Sequence, residues 1–118
     1  MPDAQPIDFL QQQLAVLRDD YACQLPGKVA QIEDLWRRLL DGHVPVAQLE
    51  DVLRMVHGIA GSGATFGLAL ASDAARELQQ CLEPIHAAGR LPDTVELACA
   101  TALIASLRQA ANPPPFLP

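Results

Sequence analysis

The chain has 118 residues and a formal net charge of −6, and half of its residues are hydrophobic, mostly leucine and alanine. This length predicts one domain with an ordinary core, and the composition favours helices. An acidic chain without a lysine or arginine stripe is a poor candidate for binding nucleic acid or an anionic membrane. No apolar run has membrane-spanning length, and the N-terminus lacks the basic and apolar regions of a signal peptide. We therefore expect a cytoplasmic protein.

The three cysteines are Cys23, Cys81 and Cys99. Their odd number, their wide spacing and the absence of a CxxC pair indicate neither a disulfide framework nor a zinc site. We expect three buried thiols in a reducing cytosol.

The first predicted helix begins after a loose arm at residues 1–6. From Ile7 onward, apolar residues recur at steps of three and four and form a stripe that we expect to face inward: Leu10, Leu14, Leu17, Tyr21, Leu25, Val29, Ile32, Trp36 and Leu39. Pro26 would normally break a helix, yet the stripe passes through it in unchanged phase. The pattern predicts one long kinked helix over about 8–41 or two coaxial pieces, and the single helix is favoured.

The second helix is predicted to begin near Val44, because Pro45 suits the first helical position. It should run to about Ala64 and end before Gly67. At roughly 100° per residue, one arc of this helix collects the residues that we expect to be buried: Leu49, Val52, Leu53, Val56, Ile59, Ala60 and Gly63. His57 lies at the edge of that arc, so its ring should be accessible.

Leu68 opens a third helix, which Pro84 would kink or shorten and Gly89 would close. Its predicted inward residues are Leu68, Ala71, Ala75, Leu78, Leu82 and Ile85. Asp93 and Glu96 resemble a capping box at the start of a fourth helix. That helix is expected to bury Val95, Cys99, Ala102, Leu103 and Leu107.

The sequence contains no strand pattern and no internal repeat. Four amphipathic helices with short connections predict an all-α, antiparallel up-down four-helix bundle. We expect a single domain over 1–118, with its core at about 8–111 and a proline-rich tail at 112–118 that cannot be helical.

The stretch around His57 is the most unusual in the chain. Glycine inside a helix costs about 1 kcal/mol relative to alanine, yet Gly58, Gly61 and Gly63 all follow the histidine closely. Our hypothesis is that these small residues, together with Ala64, clear space for a bulky partner to reach the imidazole.

This stretch resembles the signature of histidine-containing phosphotransfer (HPt) domains. In that family, an aliphatic residue, a glycine and further small residues follow the histidine, and another glycine lies ten positions after it. The chain matches at Ile59, Gly61, Ser62, Gly63 and Gly67.

Two further regions, one on each side of this stretch, extend the resemblance to about residues 10–110. The family usually has glutamine or glutamate twenty-two positions after the histidine, and Gln79 stands there. Tyr21 and Leu25-Pro26 look like the aromatic residue and the Leu-Pro of the family's first helix. One position departs from the pattern, since the family's lysine three residues after the histidine is Ala60 here.

The resemblance implies a phosphocarrier of a two-component phosphorelay rather than an enzyme. His57 would take a phosphoryl group from a receiver aspartate or a hybrid histidine kinase and pass it to a receiver. Gln79 would orient the imidazole and leave Nε2 free for phosphorylation. We expect no cofactor or metal in this chain, because the receiver supplies Mg²⁺ and the acidic pocket.

The binding surface is predicted around His57, with Arg54, Gly58, Gly61 and Ala64. Arg54 lies one turn before the histidine and would supply the positive charge that Ala60 lacks. Contacts of this kind are usually small and transient, and we expect a monomer.

Other functions fit the sequence less well, and the main alternative is a phosphate-independent docking module for a response regulator or kinase. Glu83 and His86 form one E-x-x-H pair, whereas a di-iron bundle needs two such pairs and two further glutamates. The glycine-rich stretch follows a helix rather than a strand and therefore lacks the context of a dinucleotide loop. An enzyme is a distant third possibility, because only Gln79 is expected near His57.

Overall fold

The computed structural model describes residues 6–112, so the expectations for 1–5 and 113–118 lie outside the described residues. Four helices form an all-α bundle in which each helix packs on the next and α4 returns to α1: α1 (Pro6–Leu40), α2 (Leu49–Thr65), α3 (Ala69–Ala88) and α4 (Thr94–Ala111). The described residues contain no strand, as predicted. No helix among them is both long enough and apolar enough to cross a membrane.

The α1 helix is continuous over 35 residues with Pro26 inside it, which confirms the prediction of a single helix. The second half of its stripe is buried as predicted, from Leu25 to Leu39. The inward placement of the first half is wrong, because Leu10, Leu14 and Leu17 are 61%, 56% and 51% exposed.

Helix length explains this difference. At 1.5 Å per residue, α1 is about 52 Å long, whereas the other three helices, of 17 to 20 residues, reach only about 26–30 Å. The start of α1 therefore extends past the bundle. Apolar periodicity gives the face of a helix, but it does not show where the neighbouring helices stop.

The α2 helix begins at Leu49, so the predicted start near Val44 is wrong. Pro45 has extended backbone angles, φ −66° and ψ 153°, and begins one turn of 3₁₀ helix at Val46–Gln48. Its carbonyl accepts the N–H of Gln48 at 2.9 Å. The buried arc of α2 is as predicted, except that Leu53 is only half-buried.

Two glycines set the turn and the spacing between α2 and α3. Gly67 has φ +75°, a left-handed conformation that ends α2, and the N–H of Leu68 donates back to the carbonyl of Gly63 at 2.7 Å. Gly63 is buried against Ser72, and a Cβ added to Gly63 would lie 3.2 Å from the Cβ of Ser72. The two helices therefore approach too closely for a side chain at position 63.

Ser72 fixes the register of this close approach. It is a buried polar residue, 2% exposed, and its Oγ donates a hydrogen bond to the carbonyl of Ala60 at 2.7 Å. A buried hydroxyl without a partner would be costly, so this bond favours one position of α3 along α2.

The α3 helix buries the predicted inward residues Ala71, Ala75, Leu78, Leu82 and Ile85, whereas Leu68, predicted to open the helix, lies just before it and is half-buried. The helix continues through Pro84 and ends at Gly89, with φ +66°. The predicted capping box of α4 is also present. Asp93 accepts from the N–H of Glu96 at 2.8 Å, and Glu96 accepts from the N–H of Asp93 at 2.9 Å.

The inward face of α4 is partly mispredicted. Val95 is 77% exposed, Cys99 and Ala102 are also exposed, and Leu103 is half-buried, which leaves Leu107 as the only predicted residue that is fully buried. The buried residues of α4 are Ala100, Ile104, Leu107 and Ala111. Because α4 is apolar on most of its circumference, more than one arc can serve as the buried face.

The expectation of three buried thiols is wrong as well. Cys23 and Cys99 are exposed, and Cys81 is half-buried. Cys99 is exposed because the buried face of α4 lies elsewhere. Cys23 lies on the outer side of α1, two residues before the buried Leu25.

Candidate functional site

His57 is exposed near the middle of α2 and opens onto a cleft between α2 and α3. This cleft, which we call the His57 cleft, has a volume of about 380 Å³ and is lined by His57, Ala60, Gly61, Ala64, Arg76, Gln79, Gln80 and Glu83. The exposure of the imidazole agrees with the prediction from its place at the edge of the buried arc.

The antiparallel packing of α2 and α3 brings these residues together. Positions three and four apart lie on one face of a helix, so Gly61 and Ala64 follow His57 along one wall. Arg76, Gln79 and Glu83 follow one another in the same way along the facing wall. Gln79 therefore shares the cleft with His57 although twenty-two residues separate them in sequence.

Gly61 leaves the cleft wall open. Among residues 6–112, a Cβ at Gly61 would meet nothing within 4 Å, and the residue is exposed. Its lack of a side chain therefore serves no packing against the described part of the chain, in contrast to Gly63. Between them, Gly61 and Ala64 leave room next to the imidazole for atoms of another molecule.

Arg76 lines the cleft and was not among the residues singled out from the sequence. Its guanidinium donates to the carboxylate of Asp73 and to Oγ of Ser72, each at 3.3 Å. Both distances are long for hydrogen bonds of a charged group. The only sequence signal for Arg76 is its place one turn before Gln79, and that signal has meaning only once Gln79 is assigned to the site.

Arg54 does not line the His57 cleft. Its guanidinium donates to Asp51 at 2.9 Å and lies 3.7 Å from Glu50, both on its own helix. Its charge is therefore already paired along α2. Arg76 is paired in the same way with Asp73 of α3, at 3.3 Å, but it lines the His57 cleft.

Gly58 opens on the other side of α2, toward α1. It lines a separate pocket of about 190 Å³ together with Tyr21, Lys28 and Ser62. No neighbouring atom in the part of the chain that the structure describes lies within 4 Å of a Cβ at this position. Gly58 therefore borders His57 in sequence without contributing to the His57 cleft.

Tyr21 anchors α1 to the end of α2. Its ring lies 5.4 Å from the ring of Phe66 between centroids, and the ammonium of Lys28 lies 5.8 Å from its centre. Burial raises the pKa of the Tyr21 hydroxyl above its ordinary value, and the side chain of Ser62 partly opposes that shift. The residue is structural and holds α1 behind the site.

An antiparallel four-helix bundle whose second helix exposes a histidine, and whose third helix supplies a glutamine to the same cleft, has the architecture of a histidine phosphotransfer domain. The family model described as the Hpt domain matches residues 7–112. The chain belongs to this family, whose members are phosphocarriers that interact with receiver domains and kinases in phosphorelays. Comparisons with curated proteins and with solved structures give no significant match.

Proposed function

We propose that this chain carries a phosphoryl group on Nε2 of His57 and exchanges it with aspartates of response-regulator receiver domains. The observation that carries the proposal is the exposed imidazole in a cleft shared with Gln79 and Arg76 and left open by Gly61. A hybrid histidine kinase would be the source of the phosphoryl group upstream.

The transfer step needs little from this chain. The lone pair of Nε2 attacks phosphorus of the receiver's aspartyl phosphate, a P–N bond forms, and the P–O bond breaks with its electrons leaving on the aspartate carboxylate. The ring keeps the proton on Nδ1 and becomes cationic. Gln79 accepts a hydrogen bond from that N–H through its side-chain oxygen, which fixes the tautomer and directs Nε2 outward.

Arg76 neutralises the phosphoryl group in place of the lysine that the family has at position 60. Its bonds to Asp73 and Ser72 are long, whereas a guanidinium bonds phosphoryl oxygens at about 2.7–2.9 Å and with roughly twice the strength of a neutral bond. We therefore expect Arg76 to exchange these contacts for the phosphoryl oxygens when His57 is phosphorylated.

The test is phosphotransfer in vitro with a panel of phosphorylated receiver domains. We expect an acid-labile, base-stable label on the wild-type chain and no label on His57→Gln. The absence of label from every receiver, while binding remains measurable, would refute the phosphocarrier assignment.

The role of Arg76 has a matched control in Arg54. Arg76→Ala should slow transfer and shorten the lifetime of the phosphohistidine by about tenfold, as expected for the loss of one charge-assisted contact of about 1.4 kcal/mol. Arg54→Ala, which removes an exposed arginine on the neighbouring helix, should change both by less than about twofold. Equal effects of the two variants would contradict the assignment of Arg76.

A second candidate function is phosphate-independent docking of a receiver. The observation that favours it is Ala60, which is 7% exposed and stands where the family has its lysine. Under this alternative, His57→Gln binds the receiver and functions normally. A bulky replacement, Gly61→Leu, is then the change that abolishes binding.

A further inference from the structure

An apolar groove of about 560 Å³ opens at the end of the bundle where α2 stops and α3 begins. Its walls come from the middle of α1, the turn after α2, the first residues of α3 and the last residues of α4. Most of the described residues that line it are alanine or glycine, and none of them carries a formal charge. Because small side chains leave the groove wide, it has room for large apolar side chains from another segment, and its volume is typical of a binding pocket.

The groove begins where α4 ends. Ala110 and Ala111 form part of its wall, and α4 stops at Ala111. Asn112 leaves the helical conformation, with φ −124° and ψ 74°, because a proline disfavours that conformation for the residue before it. The chain therefore leaves α4 at the edge of the groove, and residues 113–118, which lie outside the described residues, continue from that edge.

We propose that the segment 113–118 binds in this groove and inserts the side chains of Phe116 and Leu117 among its alanines. The sequence of the segment, PPPFLP, has no charged residue and carries these two large apolar side chains directly after three prolines. At about 3.1 Å per residue in a proline-rich chain, Phe116 comes within about 12 Å of Asn112, so it can reach the groove without any change in the bundle. Prolines also restrict the unbound chain, and this lowers the entropy lost on binding.

Reach argues against residues 1–5 as the occupant. These residues join α1 at Pro6, whereas the first groove residue on α1 is Ala22, which lies about 24 Å farther along the helix at 1.5 Å per residue. Five extended residues span at most about 18 Å. The only large apolar side chain among them is that of Met1.

The segment would also cover an exposed side chain at the rim of the groove. Leu70, in the first turn of α3, is 77% exposed and lines the groove. Contact between Leu70 and Phe116 removes apolar surface of both side chains from water, which favours binding. The covering of Leu70 thus supplies a measurable consequence of the proposal.

The first test uses Cys23, which is exposed and lines the groove. In a full chain carrying Cys81→Ala and Cys99→Ala, mild oxidation should join Cys23 to Pro118→Cys within one chain, as mass spectrometry of the digested protein can show. Pro118→Cys keeps both apolar side chains of the segment. The control Val95→Cys, at an exposed site near the opposite end of α4, should not join to Cys23, because the helix holds the two positions apart.

A second variant separates binding from simple proximity along the chain. Adding Phe116→Ala to the Pro118→Cys chain removes the anchor but keeps the tether, so cross-linking to Cys23 should slow at least about fivefold, the fall in effective concentration expected for a released segment. An unchanged rate would show that the tether alone brings the thiols together and would overturn the proposal. Cross-links that form only between two chains would assign the groove to a second copy and would overturn it as well.

Thermal denaturation of the full chain tests the contact with Leu70. Phe116→Ala and Leu70→Ala should each lower the melting temperature by about 2–4 °C, as expected for the loss of a partly buried apolar contact. Since the two side chains touch, the double variant should lose less than the sum of the single changes. An unchanged melting temperature for Phe116→Ala, or strictly additive losses, would contradict the contact.

This proposal is independent of the proposed phosphotransfer, since no described residue lines both the groove and the His57 cleft. Phe116→Ala should therefore accept phosphate from a receiver at the wild-type rate. If a receiver protects Cys23 from alkylation, and Phe116→Ala changes neither that protection nor the melting temperature, the groove belongs to the receiver and the binding of 113–118 is refuted.

Discussion

Gly61→Ala should make the protein more stable and a poorer phosphocarrier. The added methyl group meets no described neighbour within 4 Å, so the fold gains the full difference in helix propensity, about 0.8–1 kcal/mol. For a domain of this size, that gain corresponds to a melting temperature higher by about 3–6 °C. The same methyl group enters the space beside His57, and we expect transfer from a receiver to slow about tenfold, equivalent to about 1.4 kcal/mol.

Two other glycines of α2 provide matched controls. Gly58 is equally unobstructed but faces α1, so Gly58→Ala should be stabilised to a similar degree and lose less transfer activity. Gly63→Ala should be destabilised, because its Cβ would lie 3.2 Å from Ser72 and overpacking costs about 1–3 kcal/mol. Urea denaturation would give the three stabilities, and rapid-quench phosphotransfer would give the three rates.

The refuting results are distinct. If Gly61→Ala is stabilised yet transfers at the wild-type rate, the space beside the imidazole is not needed for partner access. If Gly61→Ala is less stable than the wild type, the inference that nothing packs against position 61 is wrong. The glycine would then be needed for helix packing rather than for partner access.

Four further predictions concern Asp93, Cys81 and Ala60. Asp93→Ala should lower stability by about 1 kcal/mol in urea denaturation, because the N-cap bond to the N–H of Glu96 is lost. Burial, together with the neighbouring Cys99, raises the pKa of Cys81 to about 11, so Cys81 should be alkylated by iodoacetamide at pH 8.5 more slowly than an unperturbed thiol, as mass spectrometry can follow. The free energy of unfolding should also fall as pH rises from 9 toward 11. Over that range the Cys81 thiol keeps its proton in the folded state but loses it more readily in the unfolded chain. Ala60→Lys should lengthen the lifetime of the phosphohistidine in a decay assay, because the charged end of a lysine at this position reaches the cleft while its stem is buried. An unchanged lifetime would show that the charge of Arg76 is already sufficient.

The fold was predictable where one face of a helix is clearly more apolar than the others. This holds for α2 and α3, whose buried residues match the sequence pattern closely. It does not hold for α4, where apolar residues surround most of the helix and tertiary packing selects among several arcs. In α1 the phase of the stripe was correct, but the exposure of Leu10 to Leu17 depends on the length of the neighbouring helices.

The part of the site that depends on sequence spacing to His57 was predictable. The position of Gln79 relative to His57 placed both in one cleft, and this juxtaposition is present. The arginine was harder to choose, because Arg54 and Arg76 each lie one turn from a candidate site residue. The difference between them is tertiary: each is paired with an aspartate on its own helix, but only Arg76 lines the His57 cleft.

The close contact between α2 and α3 links the glycine at position 63 to the position of Arg76. Gly63 allows α3 to approach until Ser72 bonds the carbonyl of Ala60, the residue that stands in place of the family's lysine. The same Ser72 hydroxyl accepts a hydrogen bond from Arg76, one turn farther along α3. The contact that accommodates a small residue at position 60 thus also holds an arginine beside the imidazole. Gly63→Ala should therefore disturb phosphotransfer through Arg76 as well as lower stability, and it should do so without touching His57.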